Sequence, residues 1–162
     1  MDIGSGTGYP SSALSNFAPH PFKFRGFDVA SMEGFLQGLK FDNPEVQLSV
    51  FLLVGRKAKF RGKKRNWRRD QTLYFQGEPI KRDSPEYQAL LDEAYFEMFR
   101  QNKKARAALV ASGNAVLTHS IGKKNISETV LTRSEFCSRL MNIRDQISKN
   151  PEEWEQDDEE EV

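Results

Sequence analysis

Three polar side chains capable of chemistry recur at helical spacing early in the chain: Glu33, Gln37 and Lys40. Positions i, i+4 and i+7 fall on one face of an α-helix, so the three side chains form a polar stripe. Glu33 lies in the predicted first turn, where the backbone dipole favours the ionised carboxylate. Such a carboxylate can stabilise a developing positive charge or activate a water molecule. The alternative is a solvated polar face, because Glu and Lys at this spacing are ordinary on helices.

The element that must position this stripe is a short helix predicted over residues 31–41. Ser31 is a preferred N-cap residue, and the apolar face that follows it consists of Met32, Phe35, Leu36 and Leu39. Gly34 and Gly38 flank the polar stripe, and each weakens a helix by roughly 1 kcal/mol relative to alanine. A ligand or another backbone segment that packs closely against the helix explains their presence.

Residues 56–69 form the most basic stretch, in which nine of fourteen residues are Lys or Arg and the aromatic residues are Phe60 and Trp67. Such a density of charge can neutralise several phosphates, and interleaved aromatic rings can stack on bases. A nucleic acid or a nucleotide is therefore the expected partner. The alternatives are a solvated basic surface loop and an incidental polyanion binder. The candidate nucleic-acid contacts are Lys59, Arg61, Lys63, Lys64 and Arg65.

The net charge of +1 conceals a division of sign along the chain. Residues 151–162 carry eight acidic and no basic side chains, which leaves a net charge of +9 on residues 1–150. A segment so acidic with one aromatic residue is typical of disorder. We therefore expect a folded domain over 1–150 and a disordered acidic tail over 151–162. The tail either aids solubility or competes with an anionic ligand for the basic face.

The remaining composition is that of one soluble globular domain. A chain of 162 residues with 38% hydrophobic content is long enough to bury a core. Cys137 is the only cysteine, which excludes an intramolecular disulfide and favours a small core residue over a nucleophile. No signal segment and no long apolar run is present, so we expect a cytoplasmic protein without membrane contact. The sequence leaves the oligomeric state open.

Local patterns elsewhere predict two hairpins and several helices. Phe22, Phe24 and Phe27 alternate with basic residues around a turn at Gly26, and a second hairpin is predicted around Gly77. The helix after Asn43 is expected to end near Gly55. The other predicted helix starts are Ser84-Pro85, Ala105, and Thr132 in a capping box with Glu135. The sequence thus predicts a mainly α fold with small β-hairpins.

The first residues contain Gly4, Gly6 and Gly8 at alternate positions. Glycines spaced in this way can form an anion-binding backbone nest that suits a pyrophosphate. No strand precedes them and no helix follows directly, so the pattern is not a dinucleotide-binding fingerprint. A flexible N-terminus is the favoured interpretation.

The two histidines, His20 and His119, have no second His or Cys at metal-ligand spacing. We therefore expect no metal site and no cofactor. His119 is more easily understood as a hydrogen-bonding partner of a phosphate or of a leaving base.

The sequence also resembles a known family in a set of ordered motifs. Ser15-Asn16-Phe17 is followed by Ser31-Met32-Glu33, then by Gln37 and Lys40-Phe41. This arrangement resembles the NADAR family, also called YbiA-like. Further matches are Gly55-Arg56, Asn66-Trp67, Leu117 with His119, Lys124-Asn125, and Leu140-Met141 with Arg144. The resemblance covers roughly residues 14–147.

The resemblance implies a single-domain YbiA-like helical fold and the cleavage of N-glycosidic bonds in ADP-ribose or NAD-related ligands. It implies that Glu33 and Lys40 are catalytic. Lys40 either holds a ribose or phosphate oxygen or forms a Schiff base with the opened sugar. Gln37 would orient sugar hydroxyls, and Trp67 would stack on a base or pack in the core. The other ligand-binding candidates are Asn16, Phe17, Arg56, Lys57, His119, Lys124 and Asn125.

One departure from the YbiA branch directs the choice of substrate. That branch carries a Trp-Gly-Asp stretch between its His and its Lys-Asn, whereas this chain has only Ser120-Ile121-Gly122 before Lys123. Together with the basic stretch, this favours removal of ADP-ribose from guanine in DNA, which would reverse a DNA-modifying toxin as an antitoxin or a phage counter-defence protein. The alternatives are a non-catalytic sensor of NAD or ADP-ribose derivatives and a glycosidase acting on a riboflavin-pathway intermediate. The expected location is the bacterial cytoplasm, or the host cytoplasm for a phage protein.

Overall fold

Helices alternate with two short hairpins along the chain. The structure is a computed structural model that describes residues 1–160, of which 156–160 by their backbone alone. The helices are α1 (Ser11–Leu14), α2 (Met32–Gly38), α3 (Pro44–Phe51), α4 (Gly55–Lys63), α5 (Pro85–Gln101), α6 (Lys103–Ala111), α7 (Arg133–Lys149) and α8 (Pro151–Glu160). The strands are β1 (Phe22–Phe24), β2 (Phe27–Val29), β3 (Thr72–Phe75) and β4 (Glu78–Lys81), and a 3-10 helix spans Trp67–Arg69. The predicted fold class, mainly α with small hairpins, is confirmed.

The predicted start sites of α2, α3, α5 and α7 are also confirmed, whereas α6 begins at Lys103, two residues before the predicted Ala105. The side chains of Ser31, Asn43 and Ser84 accept hydrogen bonds from backbone N–H groups in the first turns of α2, α3 and α5. Thr132 and Glu135 form the predicted capping box of α7. Each hairpin is a two-stranded antiparallel pair, β1 with β2 and β3 with β4.

The apolar face of α2 packs at the centre of the hydrophobic core. The Phe35 ring stacks on Phe51 of α3 with a centroid distance of 5.2 Å and meets Phe24 of β1 edge-on at 4.9 Å. Such aromatic contacts add to the free energy gained from burial of the rings. The predicted core face is confirmed, because its members are buried: Met32, Phe35, Leu36 and Leu39.

The two glycines of α2 lie where α3 approaches most closely. A Cβ atom on Gly34 would lie 2.5 Å from the carbonyl oxygen of Leu53, and one on Gly38 would lie 2.4 Å from the Phe51 ring. Side chains do not tolerate such distances, so this packing requires glycine at both positions. The sequence left a ligand and a second backbone segment as alternatives; the structure places α3 and the loop that follows it against these glycines.

α3 ends earlier than predicted. The sequence predicted a helix from Asn43 to near Gly55, but the helix ends at Phe51. The Ser31 hydroxyl donates a hydrogen bond to the Leu53 carbonyl oxygen at 2.9 Å. The chain after Phe51 therefore binds the start of α2 instead of continuing the helix.

The N-terminal residues are ordered, so the prediction of a flexible N-terminus is wrong. Ile3 is buried in the hydrophobic core, and its N–H donates to the Thr118 carbonyl oxygen at 2.8 Å. Burial of this side chain fixes the segment that the glycine-rich composition left open. The anion-nest alternative fails as well, because Gly4, Gly6 and Gly8 all lie outside the left-handed region that such a nest requires.

The acidic C-terminal segment was predicted to be disordered over 151–162, but the structure shows a helix over Pro151–Glu160. Trp154 explains the difference, since its ring is buried and meets Phe96 of α5 edge-on at 5.3 Å. One buried aromatic residue is therefore enough to dock the start of α8, which packs against α5 and α7. The last two residues, 161 and 162, lie outside the described part of the chain.

A buried ion pair joins the second hairpin to α7. Arg82 follows β4 and is fully buried, and its guanidinium donates to both carboxylate oxygens of Glu135. Burial opposes ionisation of Glu135, but hydrogen bonds from Arg82, Gln88 and the Thr132 N–H outweigh it and lower the pKa of Glu135 to about 2. The pair therefore stays ionised at all physiological pH values.

Replacing Glu135 with glutamine should destabilise the protein by about 3 kcal/mol, because the Arg82 charge would remain buried without its counter-ion. Glutamine can preserve the capping box through its Oε1, but its amide nitrogen then faces the donors of Arg82 and Gln88, so the variant loses these hydrogen bonds together with the charge. The free energy of unfolding in urea measures the effect, with Glu128→Gln at an exposed site as control.

The ion pair of Arg82 and Glu135 should also make the free energy of unfolding depend on pH in the acidic range. The folded-state pKa of Glu135 lies below its ordinary value of 4.5, so its contribution is complete above pH 4.5 and is lost as the pH falls towards 2. Glu135→Gln should remove this part of the pH dependence. An unchanged unfolding free energy in the variant at pH 7 would contradict the assigned role.

Candidate active site

The structure brings the predicted polar residues together opposite α4, but α2 ends at Gly38, earlier than the predicted helix over residues 31–41, so Lys40 lies in the turn after the helix. The Gln37 amide donates to a Glu33 carboxylate oxygen at 2.9 Å. The Lys40 Nζ lies 3.5 Å from the carbonyl oxygen of Gly62 in α4, at the outer limit of a hydrogen bond. The Glu33 N–H donates to the carbonyl oxygen of Asn16 at 3.1 Å, which brings the Ser15-Asn16-Phe17 segment to the start of the helix.

The side chain of Gln37, a residue of α2, packs directly against α4. A Cβ atom on Gly62 would lie 1.8 Å from the Gln37 Oε1 and 2.9 Å from its Cβ, so α4 can approach only because residue 62 is glycine. Gln37 is 8% exposed, and its Oε1 has no hydrogen-bond partner within the described residues. The amide is therefore fixed by packing on one side and by Glu33 on the other.

Burial is the largest influence on Glu33, and it raises the pKa of this carboxyl group. The hydrogen bond from Gln37 and the charges of Lys40, Lys59 and His119 act in the opposite direction. The sequence predicted that the helix dipole would favour the ionised form; in the structure, desolvation outweighs the groups that favour ionisation. A carboxyl group with a raised pKa is a better proton acceptor than an exposed one, which suits a general base.

Burial also changes Lys40, whose pKa falls from 10.5 to about 8. The Glu33 charge opposes this shift, whereas the charges of Arg68 and Lys123 add to it. An amine with a pKa of about 8 has a substantial neutral fraction near neutral pH. The side chain is thus able to act as a nucleophile or to hold an anion, and both predicted roles remain chemically available.

His119 lies close enough to Glu33 for its charge to lower the pKa of that carboxyl group. Its Nδ1 hydrogen-bonds the Ile3 carbonyl oxygen at 2.8 Å, and its ring meets Phe136 edge-on at 5.2 Å. A carbonyl oxygen accepts only, so Nδ1 carries a proton and Nε2 is the atom left to face a ligand. The N-terminal segment thus positions this histidine.

A hydrogen bond from α5 fixes the Asn16 side chain. The hydroxyl of Tyr95 donates to the Asn16 Oδ1 at 2.7 Å, and Tyr95 is fully buried. Phe17 is half-buried and would be 3.8 Å from a Cβ atom on Gly55, at the start of α4. Ser15-Asn16-Phe17 therefore contacts α5 through Asn16 and lies beside the start of α4 through Phe17.

The basic stretch is largely helical rather than the loop that one alternative assumed, since α4 covers it up to Lys63 and the 3-10 helix Trp67–Arg69 ends it. Ala58 and Gly62 are the buried residues of α4, and the exposed residues include Phe60, 64% exposed. All nine basic side chains of the stretch are exposed: Arg56, Lys57, Lys59, Arg61, Lys63, Lys64, Arg65, Arg68 and Arg69. The guanidinium groups of Arg61 and Arg65 lie over the Phe41 ring, which holds them against the surface.

Three of the predicted ligand contacts are either buried in the core or exposed in a loop: Trp67, Lys124 and Asn125. Trp67 is 7% exposed and belongs to the hydrophobic core, so the structure shows its packing role and leaves little of the ring for a base to stack on. Lys124 and Asn125 are exposed in the loop that follows His119. Their contact with a ligand stays a prediction.

Sequence reasoning missed Tyr95, which orients Asn16. Arg68 and Lys123 lower the pKa of Lys40 through their charges; Arg68 belongs to the predicted basic stretch, and Lys123 adjoins the predicted contacts Lys124 and Asn125. No local pattern marks Tyr95, because it becomes part of the site only when distant segments pack together. A polar hydroxyl at a core position of a long amphipathic helix was the one available signal for Tyr95.

Residues 1–160 contain neither a membrane-spanning helix nor a metal-binding cluster. No described helix combines the length and the apolar character needed to cross a membrane. No group of three or more His, Cys, Asp or Glu side chains in the described part is arranged to hold a metal ion.

The architecture is that of a YbiA-like protein. The NMR structure of the E. coli protein YbiA superposes with a TM-score of 0.62 at 20% sequence identity, covering 93% of this chain and 86% of that one. The fold predicted from the NADAR resemblance is therefore confirmed.

Sequence comparison identifies the family. The model of the family described as Bacteriophage protein GP30.3 matches residues 8–145. A 17.1 kDa protein from the Gp30-rIII intergenic region of Enterobacteria phage T4 is 42% identical over 149 residues, which are 91% of this chain and 98% of the T4 protein. The chain belongs to the GP30.3 family of bacteriophage proteins.

The depressed pKa of Lys40 predicts a pH dependence that separates its two roles. Above pH 8 the amine becomes neutral, so a Schiff-base nucleophile should yield about tenfold more borohydride-trapped ADP-ribose adduct at pH 9 than at pH 7. An anion-binding ammonium should instead lose affinity for ADP-ribose over the same range. Mass spectrometry of the trapped protein and calorimetric titration measure the two quantities, with Lys40→Ala as control. Constant adduct and constant affinity from pH 7 to 9 would contradict the assigned pKa.

Proposed function

We propose that this protein is an N-glycosidase that removes ADP-ribose from a nucleobase, with guanine in DNA as its substrate. The observation that carries the proposal is the placement of two half-buried groups, the Glu33 carboxyl and the Lys40 amine, near enough for each charge to act on the other. The pair lies within reach of the charges of Lys59, Arg68, His119 and Lys123.

The chemistry of the reaction matches these groups. Cleavage of an N-glycosidic bond develops positive charge at the anomeric carbon, and a carboxylate held beside that carbon lowers the barrier. Glu33 is held by Gln37, so its carboxylate can stabilise this charge or accept a proton from the attacking water. Water then adds to the anomeric carbon, and the base leaves with a proton.

The surrounding cations suit the rest of the ligand. A pyrophosphate carries two negative charges, and several positive charges act on the Glu33 and Lys40 pair without a comparable number of acidic groups. His119 is one of the groups whose charge acts on Glu33. An uncharged sugar would gain little from this arrangement, which favours a phosphate-containing substrate over a simple nucleoside.

DNA is favoured over a free nucleotide by the outer surface of α4. This helix exposes basic side chains along its length together with the aromatic ring of Phe60. Lys59 belongs both to this surface and to the surroundings of Glu33, so a nucleic-acid backbone that follows α4 would pass beside the site. Removal of ADP-ribose from guanine would reverse a DNA-modifying toxin, and a phage relative is consistent with action in the host cytoplasm.

A product screen tests the proposal most directly. The protein is incubated with ADP-ribosylated DNA, ADP-ribosyl guanosine, NAD and the ribosylated pyrimidine intermediate of riboflavin synthesis, and the products are identified by mass spectrometry. Release of ADP-ribose from the DNA supports the proposal. Turnover of the pyrimidine alone would establish the riboflavin-pathway alternative, and binding without any product would leave a sensor of ADP-ribose derivatives.

Glu33→Gln should lower kcat by roughly 10²-fold or more while affinity and folding stay nearly unchanged. Glutamine can still accept the Gln37 hydrogen bond, but it cannot supply the negative charge needed in the transition state. Single-turnover rates on the best substrate, together with calorimetric titration, measure the two effects.

A matched control for this variant exists in the neighbouring helix. Glu45 occupies the same position in the first turn of α3 as Glu33 does in α2, but it is exposed. Glu45→Gln should leave both rate and affinity unchanged. Wild-type rates in Glu33→Gln would show that the polar stripe is not the active site.

The exposed surface of α4 should make DNA binding depend steeply on salt. Replacing Arg61, Lys63 and Lys64 by alanine should reduce the slope of log K against log salt by about 2 to 3, because each lost phosphate contact contributes roughly 0.9. Fluorescence anisotropy with unmodified DNA measures the slope. The triple variant of the exposed Lys23, Lys103 and Lys104 on other elements is the control. An equal slope in the α4 variant and the wild type would place α4 outside the interface.

A further inference from the structure

A fully buried hydroxyl group lies directly behind the candidate site. Tyr95 of α5 has no exposed surface, and its hydroxyl donates to the Asn16 Oδ1 at 2.7 Å. The Asn16 backbone carbonyl accepts from the Glu33 N–H at 3.1 Å. A single residue thus connects the interior of α5 to the first turn of α2.

This contact fixes the direction of the Asn16 amide. A buried hydroxyl proton without an acceptor is costly, so the oxygen of the amide must face Tyr95. The reversed amide would direct N–H protons at the hydroxyl and leave the tyrosine proton without an acceptor. Burial and the nearby Glu33 charge raise the pKa of Tyr95 well above its ordinary value, so the hydroxyl keeps its proton at every relevant pH.

The other end of the amide remains available. Asn16 is half-buried, and its Nδ2 has no hydrogen-bond partner within the described residues. Nδ2 carries two protons and accepts none, so the edge that the amide presents away from Tyr95 is a pure donor. Because Asn16 also touches Glu33 through its backbone, this donor belongs to the rim of the same site.

We propose that Tyr95 is a positioning residue that locks Asn16 as a hydrogen-bond donor, so that the group of the ligand facing Asn16 must be an acceptor oxygen of a sugar, phosphate or base carbonyl. The proposal rests on the proposed function for the location of the ligand. The positioning role adds a specificity rule to the proposed function. A ligand with an amino group facing Asn16 Nδ2 would place one hydrogen-bond donor against another and would bind poorly.

A double-mutant cycle on ADP-ribose binding tests the coupling of the two residues. Asn16→Ala should weaken ADP-ribose binding about tenfold, as expected for loss of one hydrogen bond. Tyr95→Phe should weaken it about threefold in the wild-type background and not at all in the Asn16→Ala background, because the hydroxyl acts only through the amide. Calorimetric titration gives the affinities, and thermal unfolding of each variant confirms that the fold persists.

Tyr87→Phe is the matched control. Tyr87 lies on the same helix, is also fully buried, and donates its hydroxyl to the Val130 carbonyl oxygen at 2.6 Å, away from Asn16. Its substitution should leave ADP-ribose affinity unchanged, whereas a general effect of removing a buried hydroxyl would appear in both tyrosine variants.

The outcomes separate this proposal from the proposed function. Equal affinity of wild type and Asn16→Ala, or an equal loss from Tyr95→Phe in both backgrounds, overturns the positioning role and leaves the glycosidase proposal intact. Coupled losses of affinity in a protein that releases no product support the positioning role and overturn the glycosidase. Failure of the wild type to bind ADP-ribose overturns the positioning role, and the product screen then decides the glycosidase proposal separately.

Discussion

The close backbone contact of α2 with its two neighbouring helices is the constraint on which the rest of the structure depends. Gly34 and Gly38 admit α3, and Gly62 admits the side chain of Gln37 between α2 and α4. Each glycine costs roughly 1 kcal/mol of helix propensity, and burial of the aromatic rings around Phe35 offsets that cost. The gain is a rigid frame in which Glu33 and Lys40 have little freedom to move.

The frame also accounts for the electrostatics of the site. Burial of Glu33 and of Lys40 disfavours the charge on each, while each charge favours ionisation of the other. Such mutual dependence means that a proton lost from one group changes the proton affinity of its neighbour. Solvent would screen most of this mutual effect between an exposed Glu and an exposed Lys at the same spacing.

Much of the fold follows from signals within a few residues. The caps at Ser31, Asn43 and Thr132 and the two hairpins depend on local hydrogen bonds, and the sequence predicted all of them. α4 escaped prediction because a helix with nine basic residues in its neighbourhood shows no apolar periodicity; it forms because Ala58 and Gly62 fit against α2. Packing of this kind is a property of two segments together.

The same reason explains what was missed in the site. The polar stripe and the Ser15-Asn16-Phe17 segment have recognisable spacing, whereas Tyr95 joins them only through a tertiary contact. The predicted disorder of the acidic segment failed because composition averages over a segment, while a single side chain, Trp154, is sufficient to dock it.

The pairing of the first residues with the segment around His119 has a consequence for protein synthesis. Ile3 and His119 meet across 116 positions of sequence, whereas Asn16 and Glu33 meet early in the chain. A nascent chain can therefore bring Asn16 to Glu33 before the segment around His119 is synthesised. Ile3 must wait, with its apolar side chain unburied, until Thr118 has left the ribosome. His119 is thus the last of these groups to join the site, and a prematurely terminated chain would carry Glu33 and Lys40 without it.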